Sequence, residues 1–204
     1  MAKLYFYYSA MNAGKSTTLL QASYNYLERG MQTLLFTPSF DTRHGENLIH
    51  SRIGLKQTAI SFDRNFDFLS FVKDKQEEMI DLACILIDEA QFLEKAQVAQ
   101  CSLIAKELKL AVLCYGLRSD FLGEPFIGST YLLNWAEELI EIKTICSCGS
   151  KATMNVRIDE KGEPVTEGKQ IQIGGNESYI SQCMGCFQKK TTIMNQYAQE
   201  KKFL

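Results

Sequence analysis

A phosphate-binding loop is indicated near the start of the sequence by Gly14, Lys15 and Ser16. In such loops the glycine lets the backbone approach a phosphate, the lysine reaches the β- and γ-phosphates, and the serine hydroxyl ligates Mg²⁺. Ser9 stands where the motif usually has its first glycine, a mild departure because that position needs only a small residue. The triplet alone is weak evidence, since it occurs by chance in roughly one chain in ten of this length.

Two adjacent carboxylates, Asp88 and Glu89, end an apolar run that begins at residue 83. Phosphate-loop enzymes hold Mg²⁺ with an acid in this position, so Asp88 is expected to ligate the ion directly or through water. Glu89 is then a spare carboxylate beside the γ-phosphate and a candidate general base. The alternative for Glu89 is a solvated acid at the end of a strand.

Four of the seven cysteines form two close pairs that are separated by 34 residues. Four thiolates from two short segments suit a tetrahedral Zn²⁺, and because no ligand position stays open, the zinc is expected to be structural. The alternative is four reduced cysteines in a small core. The paired residues are Cys146, Cys148, Cys183 and Cys186. The other three, Cys84, Cys101 and Cys114, lie singly in apolar stretches and are expected to be core residues.

The elements that position these groups alternate between strands and helices. Strands are predicted over 4–8, 32–38, 83–90, 110–117 and 140–146, and helices over 16–29, 66–82, 94–109 and 130–139. This alternation predicts an α/β fold: a P-loop parallel sheet flanked by helices. Ligands of such sheets bind beyond the carboxyl ends of the strands. The phosphate loop, the acid pair and the loop that begins at Arg118 all follow strands, so they are expected to meet at one edge.

The sequence becomes polar and rich in turns after Cys146, which predicts a small C-terminal zinc-binding unit. The expected division is a nucleotide-binding domain over 1–145, a zinc-binding unit over 146–192 and a tail over 193–204. Residues 159–178 contain many glycines and few large apolar side chains, so this loop is not expected to order itself well alone.

Charge and hydropathy limit the partners and the location that the sequence favours. The 204 residues carry a formal net charge of −2, which offers no basic surface for nucleic acid or membrane. No apolar run approaches the ~20 residues that cross a bilayer, and the N-terminal apolar run is too short for a signal peptide. A cytoplasmic protein is expected.

Three classes of function fit these observations. The first is a kinase in which Glu89 deprotonates an acceptor hydroxyl. The second is a P-loop ATPase of the DExx type with a zinc module, although such machines usually have two such domains and a basic track for nucleic acid. The third is a zinc-module binding protein with a regulatory nucleotide site, which the paired acids disfavour. A GTPase is disfavoured because the sequence contains no NKxD motif.

The whole chain resembles the type II thymidine kinases, the cytosolic family of bacteria and animals. The matching segments, in order, are SAMNAGKST, DTR, LIDEAQF, CYGLRSDFLGEPFIGS and GGNESYISQCMGC. Two positions depart from the pattern of the family: Met184 replaces a basic or amide residue, and Cys186 fills a position that is either cysteine or histidine, both of which can bind zinc.

The resemblance implies transfer of the γ-phosphoryl group of ATP to the 5′-hydroxyl of thymidine, with Mg²⁺ and a structural Zn²⁺. It makes Glu89 the catalytic base. The implied nucleotide-binding residues are Ser9, Ala10, Met11, Asn12, Ala13, Gly14, Lys15, Ser16, Asp41, Arg43, Asp88, Glu89, Ala90 and Gln91. The implied thymidine-binding residues are Met11, Phe92, Leu117, Phe121, Phe126, Asn155, Ile171, Gln172, Ile173, Gly174, Gly175 and Tyr179.

The resemblance also implies that the segment between the cysteine pairs is a lasso loop, which closes over the base with main-chain groups of residues 171–175. Members of the family are commonly homotetramers inhibited by dTTP, so both properties are expected here. Arg43, Arg52 and Arg118 are further candidates for phosphate contacts.

Overall fold

The computed structural model describes residues 2–41, 45, 47–170 and 178–199. The chain divides into two compact units that are each discontinuous in sequence. The first unit comprises Met1–Tyr8, Gly14–Arg118 and Phe126–Ile142, and the second comprises Ser9–Ala13, Ser119–Pro125 and Lys143–Leu204. The domain boundaries expected from the sequence stay a prediction.

The first unit is built from strands that alternate with helices. The strands are β1 (Leu4–Ser9), β2 (Gln32–Pro38), β3 (Leu48–His50), β4 (Lys56–Thr58), β5 (Ile60–Phe62), β6 (Leu82–Ile87), β7 (Ala111–Leu117) and β8 (Glu138–Glu141). The helices are α1 (Lys15–Leu27), α2 (Phe68–Glu78), α3 (Lys95–Leu103) and α4 (Ile127–Trp135), with a short 3₁₀ turn at Ala90–Phe92 and a π-helical turn at Ile104–Leu108.

Six of these strands form one sheet in the order β5-β2-β6-β7-β1-β8. The pairings of β1 with β8, of β2 with β5 and β6, and of β6 with β7 are parallel. β3 and β4 form a separate antiparallel hairpin. The predicted α/β fold with a parallel sheet flanked by helices is confirmed.

Both faces of the sheet are covered by helices. Successive side chains of a strand point to opposite faces, so one strand contributes to the apolar packing on each side. On β6, Ile85 and Ile87 belong to one apolar cluster together with residues of α2, α3 and α4. Leu86 lies between them in the chain and belongs to a second cluster, with Leu19 and Leu20 of α1. This two-sided burial explains why the central strands are continuously apolar.

The second unit contains two antiparallel strand pairs and two helices. Its elements are β9 (Thr144–Ile145), β10 (Lys151–Ala152), β11 (Met154–Arg157), β12 (Tyr179–Gln182), α5 (Met184–Thr191) and α6 (Ile193–Gln199). β9 pairs with β10, and β11 pairs with β12. A small apolar core forms from Met154, Val156, Phe187 and Ile193.

Several element boundaries differ from the sequence-based expectation. The helix expected over 130–139 is α4 at Ile127–Trp135, and it ends early because the Glu137 N–H donates to the carbonyl of Leu4 at 3.0 Å in the sheet. The single strand expected over 140–146 is instead β8 followed by β9. β5, an edge strand of the sheet, was not among the predicted strands. Among the described residues, no helix is both long and apolar enough to cross a membrane.

Candidate active site and metal centre

The predicted phosphate loop joins β1 to α1. Asn12 and Gly14 both have left-handed backbone conformations, with φ of 63° and 86°, and such conformations favour glycine and asparagine. Within the described residues no side chain caps the first turn of α1, and that turn contains no acid. The N–H groups and the dipole at the N-terminus of a helix favour an anion. Lys15, the first residue of α1, is only 9% exposed.

Asp88 follows β6 and lies next to the serine of the loop. The Ser16 hydroxyl donates to Oδ2 of Asp88 at 2.9 Å, and Asp88 is 6% exposed. Burial, and next the negative charge of Glu89, raise the pKa of Asp88 to about 7, whereas the hydrogen bond from Ser16 and the charge of Lys15 lower it. The oxygen atoms of a buried carboxylate and of a hydroxyl are suitable ligands for Mg²⁺. The charge of a bound Mg²⁺ would keep Asp88 ionised.

Glu89 lies at a reversal of the chain between β6 and the 3₁₀ turn. Its φ of 49° is left-handed, and its N–H donates to Oδ1 of Asp88 at 3.0 Å. The side-chain amide of Gln91 donates to Oε2 of Glu89 at 2.7 Å. The side chain of Gln91 therefore holds the carboxylate of Glu89 in place, a contact that the sequence pattern did not reveal.

Three aromatic rings lie together after the ends of β2 and β6 and before α4. The ring centroids of Phe92 and Phe126 are 5.6 Å apart, and those of Phe92 and Phe40 are 4.9 Å apart, both nearly perpendicular. Phe92 and Phe126 were expected to contact the nucleoside, whereas Phe40 was not singled out. Leu117, the last residue of β7, is buried.

In the second unit, facing residues of β11 and β12 bind the backbone of Met11. Asn155 and Ser181 are opposite each other in the strand register. Oδ1 of Asn155 accepts the Met11 N–H at 2.7 Å, and the Ser181 hydroxyl donates to the Met11 carbonyl at 2.5 Å. Nδ2 of Asn155 donates to the carbonyl of Ser119 at 3.0 Å, so both amide atoms of Asn155 contact backbone.

Phe121, another expected nucleoside contact, packs under a buried arginine. The guanidinium of Arg157 lies 3.9 Å from the Phe121 ring centroid, a cation–π contact. Arg157 also donates to the carbonyls of Glu167 and Lys169 at 2.8 and 3.2 Å. Tyr179, on β12, is paired with Arg157 and is buried. The contacts of Arg157 with Phe121 and with the loop were not predicted, because a single arginine in a strand belongs to no recognisable motif.

The first part of the predicted lasso loop is hydrogen-bonded. Oδ1 of Asp159 accepts the N–H groups of Lys161 and Glu163 at 2.9 Å each, and the Gln170 amide donates to Asp120 at 3.0 Å. Ile171, Gln172, Ile173, Gly174 and Gly175, together with Arg43, lie outside the described residues. Asp41 lies after β2 and is partly buried.

The four paired cysteines form one cluster in the second unit. Their sulfur atoms all lie within 4.8 Å of one another, and Cys148 and Cys183 are 3.6 Å apart. In a tetrahedral site with Zn–S bonds of about 2.3 Å the sulfurs are about 3.8 Å apart. Gly149, with φ of 85°, makes the tight turn of the first pair, while the sulfur of Cys183 accepts the Cys186 N–H at the start of α5.

The protonation of the cluster also fits a metal site. Backbone N–H groups, first that of Cys148 and then that of Cys183, lower the pKa of Cys146 to about 6. Hydrogen bonds with the other sulfurs, that of Cys148 first, raise the pKa of Cys186 to about 12. Four thiolates at this spacing thus need a cation in order to be ionised together.

Comparison with known proteins gives consistent matches over these motifs. The family model for thymidine kinase matches residues 2–187. A thymidine kinase of Coxiella burnetii is 58% identical over 183 residues, which cover 90% of this chain and 93% of that protein. Thymidine kinases of Legionella pneumophila (strain Lens) and Yersinia pseudotuberculosis are 59% and 56% identical, over 90% of this chain and over 88% and 93% of their own lengths.

Proposed function

Because this chain belongs to the thymidine kinase family, we propose that it transfers the γ-phosphoryl group of ATP to the 5′-hydroxyl of thymidine and releases dTMP and ADP. The observation that carries the proposal is the hydrogen bond between Ser16 and Asp88, which joins the phosphate loop to the acid pair. The DExx ATPase is not favoured, because the matched family and the relatives above are thymidine kinases over nearly the whole chain.

In the proposed reaction, Glu89 accepts the proton of the 5′-hydroxyl as the oxygen attacks the γ-phosphorus. The bond between the γ-phosphorus and the oxygen that bridges to the β-phosphate breaks, and ADP leaves with the electron pair. Lys15 and the N–H groups at the start of α1 stabilise the charge on the phosphates. Ser16 and Asp88 would hold Mg²⁺, which neutralises charge on the β- and γ-phosphates when bound.

The nucleoside contacts are proposed from motif positions together with local packing. Phe92, Phe126 and Leu117 are proposed to supply apolar contacts in the first unit, and Met11, Phe121 and Tyr179 in the second. Asn155 is proposed to act through the backbone of Met11, because both of its amide atoms bond to backbone. Closure of the lasso loop over the base, inhibition by dTTP, a homotetramer and a cytoplasmic location are proposed from the resemblance to the family.

A nucleoside panel tests the proposed function. Purified protein is incubated with ATP, Mg²⁺ and one of thymidine, deoxyuridine, deoxycytidine or adenosine, and ADP and nucleoside monophosphate are separated by chromatography. We expect ADP to form in equal amount with dTMP and to need thymidine. ADP that forms without a nucleoside, and faster with single-stranded DNA or RNA, would instead support the DExx ATPase. The same assay with added dTTP, and light scattering of the protein, test the proposed inhibition and the tetramer.

A further inference from the structure

We propose that Gln91 is a positioning residue for Glu89: its carboxamide joins the Glu89 carboxylate to the backbone of β7 and sets the orientation of the base. The inference rests on the proposed function, because Glu89 acts as a base only if the chain transfers a phosphoryl group to a hydroxyl. The resemblance to the family implied that Gln91 binds the nucleotide, and nothing in the structure tests that prediction; the contacts of its side chain point to a positioning task.

The two ends of the Gln91 carboxamide have different partners. Oε1 accepts the backbone N–H of Leu117 at 3.0 Å, and Nε2 donates to Oε2 of Glu89 at 2.7 Å. A backbone N–H can only donate and an ionised carboxylate can only accept, so these partners fix which end of the amide faces which group. Gln91 is 2% exposed, and its side chain therefore has little freedom to turn away.

Glu89 gains from such support because its side chain is long and flexible. A glutamate side chain has three rotatable bonds and loses considerable rotamer entropy when it is fixed. The left-handed backbone at Glu89, with φ of 49°, is an uncommon conformation that persists only where the neighbouring structure holds it. The hydrogen bond that Gln91 donates to Glu89, 2.7 Å long, fixes the carboxylate before the substrate binds. A base that is already oriented transfers a proton efficiently.

Two glycines make room for the segment that carries Gln91. A Cβ atom at Gly116 would lie 2.9 Å from both the backbone nitrogen and Oε1 of Gln91. A Cβ atom at Gly128 would lie 2.6 Å from the carbonyl oxygen of Ala90 and 2.8 Å from those of Gln91 and Leu93. β7 and α4 thus approach this turn so closely that side chains are excluded, which holds the carboxamide at a fixed distance from Glu89.

Two near-isosteric substitutions separate positioning from packing. Gln91→Glu keeps an oxygen that can accept the Leu117 N–H but places a negative charge beside Glu89 in place of a donor. Gln91→Met keeps the volume and loses both hydrogen bonds. We expect both variants to lower kcat about 10- to 100-fold, since small misplacements of a reacting group have effects of this size, with little change in KM for ATP.

Gln97 offers a matched control in the same unit. It is also buried, at 3% exposed, and its amide donates to the carbonyls of Asp63 and Phe66 at 2.8 and 3.1 Å. Gln97→Met removes a comparable set of backbone hydrogen bonds away from the acid pair. It is expected to lower the urea midpoint while kcat of the folded enzyme is retained. Equal losses of kcat in Gln91→Met and Gln97→Met would overturn the proposal.

A double-mutant cycle tests whether Gln91 works through Glu89. In the Glu89→Gln background, Gln91→Met should cause no further loss of kcat beyond about twofold, because the base that it positions is gone. If the two losses multiply, Gln91 acts independently and the inference is wrong. Turnover of thymidine by the unmodified enzyme tests the proposed function separately: an active enzyme with a multiplicative cycle contradicts only the role of Gln91.

A readout without turnover tests the contact itself. The side-chain amide protons of Gln91, observed by ¹⁵N NMR, should exchange slowly with solvent in the unmodified protein and faster in Glu89→Ala. Gln97 provides the internal reference, because its amide protons should be unaffected by that substitution. Equal exchange of the Gln91 amide in both proteins would contradict the proposed hydrogen bond to Glu89.

Discussion

Asp88 and Glu89 are neighbours in the chain, yet their carboxylates have different surroundings. Both oxygens of Asp88 accept hydrogen bonds from within the fold, one from Ser16 and one from the Glu89 N–H. Glu89 follows with a left-handed backbone, which interrupts the strand and turns its side chain towards Gln91. The positive φ of Glu89 thus gives the two carboxylates different surroundings: that of Asp88 suits a cation, and that of Glu89 suits proton transfer.

The role of Glu89 is tested by Glu89→Gln, which keeps the shape of the side chain and removes the base. We expect kcat to fall by about 10²- to 10⁴-fold, the usual contribution of a general base, with ATP binding little changed. Steady-state kinetics and calorimetric titration with ATP measure the two effects. The exposed Glu77 of α2 provides the control, as Glu77→Gln should leave kcat unchanged. Retention of near-normal kcat by Glu89→Gln would mean that another group removes the proton.

The close approach of α4 to the turn after Glu89 is tested by Gly128→Ala. The added methyl group would lie 2.6 to 2.8 Å from three carbonyl oxygens, so the start of α4 must move away. We expect a lower urea midpoint and a lower kcat. Gly185 in α5 has open space around it, so Gly185→Ala should not lower the midpoint. Unchanged stability and kcat in Gly128→Ala would show that the turn can move to accept the methyl group, and that the close approach of α4 is not needed for activity.

At the scale of single elements, α2 is capped at its N-terminus by the side chain of an aspartate. Asp67 precedes α2 and accepts the Ser70 N–H at 3.1 Å and the Ser70 hydroxyl at 2.9 Å. Gln100 of α3 donates to the same carboxylate at 3.0 Å and accepts the N–H of Phe68. One side chain therefore caps α2 and joins it to α3.

The hydrogen bonds from Ser70 lower the pKa of Asp67, and this makes the cap dependent on pH. A carboxyl whose pKa is lower in the folded state stabilises the fold above its unfolded pKa of about 3.9, and loses this contribution as the pH falls through the folded pKa. Asp67→Ala should therefore lower the urea midpoint at pH 7 and have a smaller effect at pH 3. Asp67→Asn, which caps without titrating, should lack this dependence. An equal effect of Asp67→Ala at both pH values would contradict the explanation.

The main elements were predictable because their patterns are local. β1, β2, β6 and β7 are apolar runs that neighbour segments with helical periodicity, and the phosphate loop lies between β1 and α1. β5 was missed because three residues in a polar segment give no periodic signal, and its pairing with β2 depends on residues far away in sequence. The end of α4 was misplaced because a hydrogen bond from Glu137 to Leu4 decides it.

The site shows the same division between local and distant information. Spacing alone predicted roles for Lys15, Ser16, Asp88, Glu89 and the paired cysteines, and the structure brings the four cysteines together. The partner that orients Gln91 is the backbone of Leu117, 26 residues away, and the partners of Asn155 lie 144 and 36 residues away. No spacing rule encodes such contacts, so the tasks of these amides became visible only in the fold.

At the scale of the whole molecule, the second unit has a small apolar core and a cluster of four cysteines. We expect one zinc per chain by elemental analysis. Cys148→Ser should lose the metal, and faster amide exchange should follow in residues 144–191, because metal binding of this kind is coupled to folding. Amide exchange in β6 and β7 of the first unit reports whether the loss is local.

The buried Cys101 provides the contrast for the zinc prediction. It lies in the apolar core of the first unit, so Cys101→Ala should lower stability while the zinc content stays at one per chain. Protein that is purified without a chelator and contains no zinc would contradict the metal site. Loss of zinc from Cys101→Ala as well would show that general destabilisation, and not the missing ligand, releases the metal.

The order of the strands also determines when the chain can complete its sheet. β1 comes first in the sequence, yet it lies between β7 and β8, and the Leu4 N–H donates to the carboxylate of Glu137, 133 residues later. At about 5–20 residues per second on the ribosome, β1 waits roughly 7–27 s for Glu137 to be made. Until then its aromatic residues are unpaired and exposed to other chains. The proposed nucleotide site at the end of β1 is thus among the last parts of a newly made molecule to fold.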